Sequence, residues 1–399
     1  MRRVLVISYY APPLGLSGVM RVTKLCKFLP EYGWRPLILT VKPAAYYHYD
    51  PALLSDLEAS KVYRTESFDP ARILNRLRPV KHRLNPFLGK SLGRGPRLLN
   101  YLLLPDSKAG WFPFASVAGR HIIDRERPAA IFATAPPFTS LLLGVRLKAH
   151  GHLPLVADFR DPWPTGFAPP PRYQRAILRV VRDYVVRHAD AVLAVNEGTA
   201  RLVGPRTAVL DNGFDPDEFE VEPRKLDGFS IVHVGNLWQN QEETLALCEA
   251  LSGIPEARLY LVGRVDESTR SRLAGRSQVH IMEPVAHEEA CRLMKSADVL
   301  LYLGKPKQPV GIKLYEYLGA RRPILLYGPD IEEAAGIVER SQAGIACREK
   351  AAIGAALAEM KAEPAKFTKE SRERFDRRVQ AKTLAELMER LVVNSRGND

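Results

Sequence analysis

The sequence predicts an α/β protein with two doubly wound parallel-sheet domains. The chain has 399 residues, which exceeds the size at which a single hydrophobic core usually stops growing, so about two domains are expected. Short apolar runs typical of buried strands alternate with segments of helical periodicity. This alternation stops at a polar stretch, EVEPRKLDG at residues 220–228, and then starts again. We therefore predict one domain over residues 1–220 and a second over residues 221–375.

The N-terminal residues supply the first strand, helix and strand. Val4–Ser8 is an apolar run, and apolar residues then recur at helical spacing from Val19 to Leu29. Gly33 ends that helix, and RPLILTV at residues 35–41 is a second buried strand. Two strands joined by one helix should be parallel, with a right-handed crossover. The break between the first strand and the helix contains Pro12, Pro13, Gly15 and Gly18.

The same alternation continues along the rest of the chain. The remaining strands of the first domain are predicted at residues 130–134, 153–158, 190–195 and 207–211, with the clearest helix at 172–188. Those of the second domain are predicted at residues 230–234, 257–262, 297–303 and 322–327. A C-terminal helix over residues 376–399 is expected to return to the first domain. Because ligands of open parallel sheets bind at the carboxyl ends of the strands, two adjacent sheets predict a ligand cleft between the domains.

Composition and cysteine usage indicate a globular protein of the reducing cytoplasm. The chain is 46% apolar and 26% charged, and its four cysteines form no C-x-x-C pair. This spacing argues against a disulfide framework and a structural zinc site. The opening MRRVLVISYYAPPLG begins like a signal peptide but has no small-residue cleavage site. No apolar run approaches the roughly 18 residues that cross a bilayer, so any membrane contact is expected to be peripheral.

The net charge of +13 is concentrated in one segment. Residues 61–100 contain ten Lys or Arg against Glu66 and Asp69 only, interleaved with leucines. Clustered cations of this kind attract anionic lipid headgroups, at about 1 kcal/mol each near a charged surface. A solvated loop region explains the segment equally well. Nucleic acid is disfavoured as a partner because no nucleic-acid-binding motif accompanies the charge.

The stretch PVGIKLYEYLGARRPILLY at residues 309–327 predicts an anion site at the start of a helix. Gly311 precedes the helix, so the free N–H groups of its first turn suit phosphate oxygens. Lys313 adds a positive charge, and Glu316 lies one further turn along the same face. A carboxylate accepts two hydroxyl hydrogens, so Glu316 would bind the ribose of a nucleotide. The alternative is a Lys313–Glu316 pair on a solvated helix face.

The stretch GIKLYEYLGARRPIL resembles a signature segment of the retaining family 4 glycosyltransferases of the bacterial surface-polysaccharide type. That family has the GT-B fold, in which two Rossmann-like domains face each other. The similarity extends to four other segments. They are VLVISYYAPPLGLSGVMRVTKLCKFLPEYGW at residues 4–34, DFRDPW at 158–163, DNGFDPDEF at 211–219 and HVGNLW at 233–238.

The resemblance implies transfer of a sugar, with retention, from a nucleoside-diphosphate sugar to a hydroxyl of a glycan or lipid-linked acceptor. It implies no cofactor and no metal, an acceptor-side domain at residues 1–220, a donor domain at 221–375, and work at the inner face of the membrane. Glu316 would bind the donor ribose and Lys313 the diphosphate. Asp161, after a strand, would contact the acceptor; the alternative is that it caps a turn and pairs with Arg160. Further donor contacts are implied for Gly15, Ser17, Gly18, Gly235, Asn236, Arg264, Pro284, Val285, Gln308, Gly311 and Ile312.

Three positions depart from the family pattern and put sugar selectivity and activity in question. Gln308 stands where many members carry a second glutamate, Leu141 where relatives often carry histidine, and Gln241 near a common arginine position. A catalytically weak or inactive sugar-nucleotide-binding scaffold is therefore one alternative. The other is a metal-dependent GT-A type transferase, in which Asp215 and Asp217 form a D-x-D metal site. His233 is interpreted as a core histidine.

Overall fold

The structure is a computed structural model of the chain. It describes residues 1–15, 17–43, 50–70, 72–73, 103–163, 172–237, 240–304, 310–368 and 372–396. The chain divides into two compact units, Met1–Asn212 with Arg378–Asp399, and Gly213–Arg377. Each unit contains one parallel sheet with helices on its faces, so the predicted fold class is confirmed.

The first unit is built on a seven-stranded sheet in the order β3-β2-β1-β4-β5-β6-β7. Its strands are β1 Arg2–Ile7, β2 Trp34–Val41, β3 Lys61–Thr65, β4 Ala130–Ala135, β5 Leu155–Phe159, β6 Ala191–Ala194 and β7 Thr207–Val209. The helices of this unit whose bounds the described residues give are α1 Ser17–Phe28, α2 Phe112–Glu126, α3 Thr139–Gly151, α4 Arg172–His188 and α5 Glu197–Val203.

The second unit is built on a six-stranded sheet in the order β10-β9-β8-β11-β12-β13. Its strands are β8 Phe229–Val234, β9 Ala257–Val262, β10 Val279–Met282, β11 Val299–Leu303, β12 Ile324–Tyr327 and β13 Gly344–Cys347. Its helices are α6 Gln241–Leu251, α7 Glu267–Leu273, α8 His287–Ser296, α9 Ile312–Ala320, α10 Glu332–Arg340 and α11 Ala352–Ala362. The last helix of the chain is α12, Arg377–Arg396.

Both faces of the first sheet are buried, which explains the continuous apolar runs of its strands. Leu5 and Ile7 of β1 face one core, whereas Val4 and Val6 face the other. The second core also contains Ala381, Leu384 and Met388 of α12. The C-terminal helix therefore returns to the first unit, as the sequence predicts.

Three strands that the sequence does not predict all lie at sheet edges. They are β3, β10 and β13. Edge strands are short and only half buried, so they lack the apolar run that marks a central strand. In β3, for example, every residue is exposed or partly buried, and Lys61 and Arg64 interrupt the pattern.

Some cations of the basic segment form contacts within the first unit. Lys61 forms an ion pair with Glu126 at 2.7 Å. Arg72 is buried and donates to the carbonyl of Lys42. Residues 74–102, which carry most of the segment's charge, lie outside the described residues. None of the described helices has the length and hydropathy needed to cross a bilayer.

Candidate functional site

In the second unit, the candidate residues follow the carboxyl ends of four neighbouring strands. The chain runs outward from β8 to β9 and β10, and then returns to the other side of β8 with β11. The point at which the strand order reverses, between β8 and β11, is where ligands bind in open parallel sheets. The candidate residues after β8, β9, β10 and β11 therefore share one sheet edge.

Helix α9 begins at this edge, and no described side chain caps its N-terminus. Gly311 is its N-cap, has extended backbone (φ −72°, ψ 157°), and makes no side-chain capping bond. The Gly311 N–H donates to the Tyr302 hydroxyl at 3.1 Å. Burial raises the pKa of Tyr302, so this hydroxyl stays neutral. Because no described side chain caps α9, the amides of Ile312 and Lys313 stay suited to an anion.

Lys313 and Glu316 lie one turn apart on α9 and contact each other. Lys313 Nζ donates to Glu316 Oε2 at 2.6 Å. The Glu316 side chain is only 8% exposed, whereas that of Lys313 is 35% exposed. The predicted alternative, a pair on a solvated face, is therefore correct about the pair but not about the solvation of Glu316. A buried carboxylate with only one described partner retains lone pairs for further donors.

Tight packing sets the position of α9 against the sheet. The Tyr317 hydroxyl accepts from the N–H of Val234, the last residue of β8, at 2.8 Å. A Cβ on Gly319 would lie 2.5 Å from the Phe219 ring, so the helix approaches that ring as only glycine allows. At the other end of the helix, buried Arg372 donates to the Leu318 carbonyl at 3.1 Å, which suits the negative helix C-terminus. These contacts fix α9 relative to the end of β8.

The backbone segments just after β8 and β9 lie very close to each other. A Cβ on Gly263 (φ +141°) would lie 2.4 Å from the Gly235 carbonyl oxygen, so this position favours glycine. Just beyond, Asn236 Oδ1 accepts from the Arg264 N–H at 3.1 Å. The structure thus brings together three predicted donor contacts, Gly235, Asn236 and Arg264.

Two other predicted contacts follow β10, and the predicted core histidine lies on β8. Pro284 and Val285 follow β10 at the same edge; Pro284 is exposed, and Val285 packs partly against the core. His233 of β8 is buried, with Nδ1 3.0 Å from the Leu301 carbonyl oxygen. A carbonyl only accepts, so Nδ1 carries the proton and the ring is held between strands, as expected of a core histidine.

In the first unit, the motif DFRDPW begins with the last two residues of β5 and is organised by a buried ion pair. Arg21 of α1 donates to Asp158 through Nε at 3.1 Å and through Nη2 at 2.8 Å. Thr134 Oγ1 donates to the same carboxylate at 2.7 Å. Both Arg21 and Asp158 are buried. Asp158 therefore joins α1, β4 and β5 through three accepted hydrogen bonds.

Arg160 is a functional candidate that the sequence does not single out. Its guanidinium donates through Nε to the Ala135 carbonyl at 3.2 Å and through Nη2 to the Pro136 carbonyl. Nη1 is buried and has no partner among the described residues. It lies 3.3 Å from the position of a Cβ on Gly18. Burial lowers the pKa of Arg160, and Asp158 and Asp161 oppose this shift.

Asp161 follows Arg160 at the carboxyl edge of the first sheet. Its side chain is partly buried. Burial raises the pKa of this carboxyl group, and the Arg160 cation lowers it. Because the sheet order reverses between β1 and β4, the residues after β1, β4 and β5 meet at the edge where open parallel sheets usually bind ligands. Gly18, Arg160 and Asp161 are therefore neighbours there.

Comparison with known protein families assigns each unit separately. Residues 19–213 match the family described as "Glycosyl transferase 4-like domain". Residues 228–362 match the family described as "Glycosyl transferases group 1". The chain is a GT-B glycosyltransferase. A search of curated proteins found no match.

Solved structures share the GT-B fold over nearly the whole chain at low identity. The transferase is similar to HepE of Anabaena, with a TM-score of 0.62, 15% identity, and coverage of 98% of this chain and 100% of that one. It is similar to sucrose-phosphate synthase of Thermosynechococcus elongatus, with a TM-score of 0.63, 15% identity, and coverage of 99% and 100%. It is also similar to a glycosyltransferase of Rickettsia africae, with a TM-score of 0.62, 13% identity, and coverage of 98% of each chain. Identities this low show the fold alone.

The remaining predicted residues of the transferase are distributed as follows. Gln308 and the side chain of Ser17 lie outside the described residues, while Gly15 is partly buried just before α1. Leu141 is fully buried in the core of the first unit, so a histidine here would need a polar partner inside that core. Gln241 is the first residue of α6.

Proposed function

We propose that the transferase moves a sugar, with retention, from a nucleoside-diphosphate sugar to a hydroxyl of a glycan or lipid-linked acceptor. Synthesis of a cell-surface polysaccharide or glycoconjugate is the process we infer. The observation that carries the proposal is the start of α9, where an uncapped helix N-terminus, Lys313 and the buried Glu316 lie within one turn. That arrangement suits a diphosphate followed by a ribose diol.

The solved neighbours support the choice of donor. HepE of Anabaena has crystal structures in complex with UDP and with UDP-glucose. A nucleotide sugar is therefore the first class of ligand to test here. The base and the sugar are left open in the proposal, because the predicted sugar contact Gln308 is outside the described residues.

In the proposed reaction, the bond between the anomeric carbon and the diphosphate breaks while a bond to the acceptor oxygen forms on the same face. The hydroxyl proton passes to the departing phosphate oxygen, so no nucleophile from the protein is needed. Negative charge develops on the leaving diphosphate. Lys313 and the amides of Ile312 and Lys313 would stabilise that charge, and preorganised donors of this kind often supply the largest catalytic effect. Excluding water from this step would prevent hydrolysis of the donor.

In the first unit, we assign an anion-binding role to Arg160 and an acceptor contact to Asp161. Arg160 is held by two carbonyls and keeps one N–H-bearing nitrogen, Nη1, beside the glycine at the start of α1. A guanidinium fixed in this way binds phosphate without losing further side-chain entropy.

Arg160→Met is expected to lower turnover by roughly 10- to 100-fold per folded molecule, while Arg160→Lys keeps part of the activity by retaining the charge. Because two carbonyls lose their donor, both variants should also unfold at lower temperature. Turnover is therefore measured well below the melting temperature, with Arg146→Met, at an exposed arginine of the same unit, as the control. Full turnover in Arg160→Met would exclude the anion-binding role.

We further propose that no metal is required. In the structure, Asp215 of the D-x-D sequence is buried and accepts from the Asp217 N–H at 3.0 Å. It caps the 3₁₀ helix Pro216–Phe219, as aspartate commonly does. This capping role accounts for Asp215 without a metal.

Transfer should persist in excess chelator, and Asp217→Ala should retain most of the activity. The measurement is release of nucleoside diphosphate from a donor panel, with and without chelator, and with Mg²⁺ or Mn²⁺ added back. Loss of transfer in chelator and its recovery with metal would favour the D-x-D alternative. Binding of a donor with neither transfer nor hydrolysis would favour the inactive scaffold.

A further inference from the structure

Helix α4 has three distinct faces. Gln174, Leu178 and Val185 are buried against the first unit. A second row consists of Tyr173, Ile177, Val180 and Tyr184, which are spaced by four, three and four residues and therefore lie on one side of the helix. The third face contains the arginines Arg172, Arg175, Arg179 and Arg182, while Arg187 lies near the edge of the second row, towards the C-terminus of the helix.

The second row, which we call the apolar row, is exposed. The exposed fractions are 61% for Tyr173, 43% for Ile177, 69% for Val180 and 44% for Tyr184. Single exposed apolar residues are ordinary, but four in one row along a helix form a contiguous patch. Leu202 of α5 is 50% exposed. Its carbonyl accepts from Arg182 of α4 at 2.8 Å, so Leu202 lies beside the arginine face rather than in the apolar row.

The arginine face has almost no compensating acid. Among the described residues, Arg182 is the one arginine of α4 that forms an ion pair, with Asp183 at 2.7 Å. Arg172, Arg179 and Arg187 are exposed. Asp183 is also the one acidic residue of this helix. The patch therefore combines exposed aromatic and aliphatic side chains with a net positive charge.

We propose that the apolar row and the arginine face of α4 bind an anionic lipid surface. An amphipathic helix with aromatic and aliphatic residues on one side and arginines on the other suits the boundary between headgroups and acyl chains. The rings of Tyr173 and Tyr184 suit the same boundary, because each has an apolar body and a polar tip. The arginines are attracted by the net negative charge of anionic headgroups, which a zwitterionic surface does not offer.

Charge favours a lipid surface over a second copy of this chain. A symmetric contact through the apolar row would bring two arginine faces near each other, and the whole chain carries a net charge of +13. Like charges at an interface are unfavourable. An anionic bilayer instead complements both the apolar row and the arginines.

The chain offers a direct probe, because its four cysteines are all buried. Val180→Cys can be labelled with an environment-sensitive fluorophore, and Val117→Cys on α2 is the matched control, since Val117 is 68% exposed, as Val180 is at 69%, and α2 has no row of arginines. Vesicles of phosphatidylcholine with phosphatidylglycerol should shift the emission of the label at position 180 to the blue. The label at position 117 should not respond. No blue shift at position 180 would overturn the proposal.

Sedimentation with the same vesicles measures the contributions of the arginine face and of the apolar row to binding separately. Arg175→Gln with Arg179→Gln should weaken binding by about fivefold per arginine, and added salt should weaken wild-type binding in the same direction. Ile177→Ser with Val180→Ser should weaken binding by roughly tenfold or more, with less dependence on salt. Arg348→Gln, at an exposed arginine of the second unit, should bind as wild type does.

Two further outcomes assign the surface differently. If Arg78→Gln with Lys81→Gln and Arg83→Gln abolishes binding while the α4 variants bind normally, the lipid contact belongs to the basic segment at residues 61–100 and the proposal for α4 is wrong. If the serine variant instead converts a dimer into a monomer in sedimentation velocity and leaves vesicle binding unchanged, the row is an interface between copies. All α4 variants should keep wild-type transfer to a soluble acceptor, so failure of this inference is distinct from failure of the proposed function.

Discussion

Lys313→Ala is expected to lower turnover by about 10²- to 10³-fold with a smaller loss of donor affinity. The ammonium group would stabilise charge that is larger on the departing diphosphate than on the bound donor, so its removal raises the barrier more than it weakens binding. The amides at the start of α9 remain in the variant and should support residual activity. Turnover and KM for the best donor, measured for the wild type and the variant, give the two effects separately.

The Lys313 variant needs a control for the carboxylate that it leaves behind. Lys313 donates to the buried Glu316 at 2.6 Å, and removal of one partner leaves an uncompensated buried charge. Lys313→Ala with Glu316→Gln removes that charge. If the loss of turnover arises from the missing cation, the double variant should remain slow; recovery of wild-type turnover would mean that Lys313 serves only to neutralise Glu316. Lys313→Arg should retain more turnover than Lys313→Ala.

Glu316→Gln is expected to weaken donor binding by roughly 10- to 100-fold, because hydrogen bonds to a charged group contribute about 1.5 to 3 kcal/mol. Glutamine keeps the shape of the side chain, so the cost to folding should be small. Calorimetry measures the affinity of the wild type and of the variant for a nucleoside diphosphate and for its 2′,3′-dideoxy analogue. The four affinities form a thermodynamic cycle. The wild type should lose affinity when the diol is removed, whereas the variant should bind both ligands equally weakly.

The same cycle shows how the ribose assignment would fail. Equal loss of affinity in the wild type and in Glu316→Gln on removal of the diol would mean that the hydroxyls bind elsewhere. Glu316 would then be a structural partner of Lys313, as in the alternative derived from the sequence. Melting temperatures of both proteins, taken without ligand, would show whether that structural role exists.

Sequence patterns predicted the central strands well because both faces of each sheet are buried. Continuous apolar runs such as RPLILTV at residues 35–41 and ADVLLYL at 297–303 correspond to β2 and β11. The edge strands β3, β10 and β13 were missed because they have only four or five residues each, and almost all of these are partly buried rather than fully buried. Their pairing depends on the neighbouring strand rather than on their own composition.

The candidate site also has a part that local sequence predicts and a part that depends on contacts between distant elements. The spacing of Gly311, Lys313 and Glu316 follows from helix geometry, so one segment of sequence was enough to predict their arrangement, although their roles in binding stay predictions. The positions of Arg160 and Tyr302 depend on contacts between elements far apart in sequence. No local pattern shows that Arg160 lies beside Gly18, or that the Tyr302 hydroxyl accepts from Gly311.

Helix α4 shows that sequence periodicity predicts a helix but not which of its faces is buried. Its sequence, RYQRAILRVVRDYVVRH, predicts a helix at residues 172–188, and the structure has one over that range. Apolar periodicity alone does not show which of two apolar rows is buried. Leu178 and Val185 face the core, whereas Ile177 and Val180 are exposed. Only the packing of the helix reveals the exposed row on which the lipid-binding proposal rests.

Product analysis of a donor panel tests the central claim most directly. The wild-type protein is incubated in chelator with uridine, guanosine, adenosine and thymidine diphosphate sugars and a mixture of glycan and lipid-linked acceptors, and products are followed by NMR spectroscopy. We predict that one class of donor releases one nucleoside diphosphate for each sugar transferred, and that the new glycosidic bond keeps the anomeric configuration of the donor. An inverted product would contradict the assigned stereochemistry. Consumption of no donor, with no binding of any nucleoside diphosphate by calorimetry, would contradict the account as a whole.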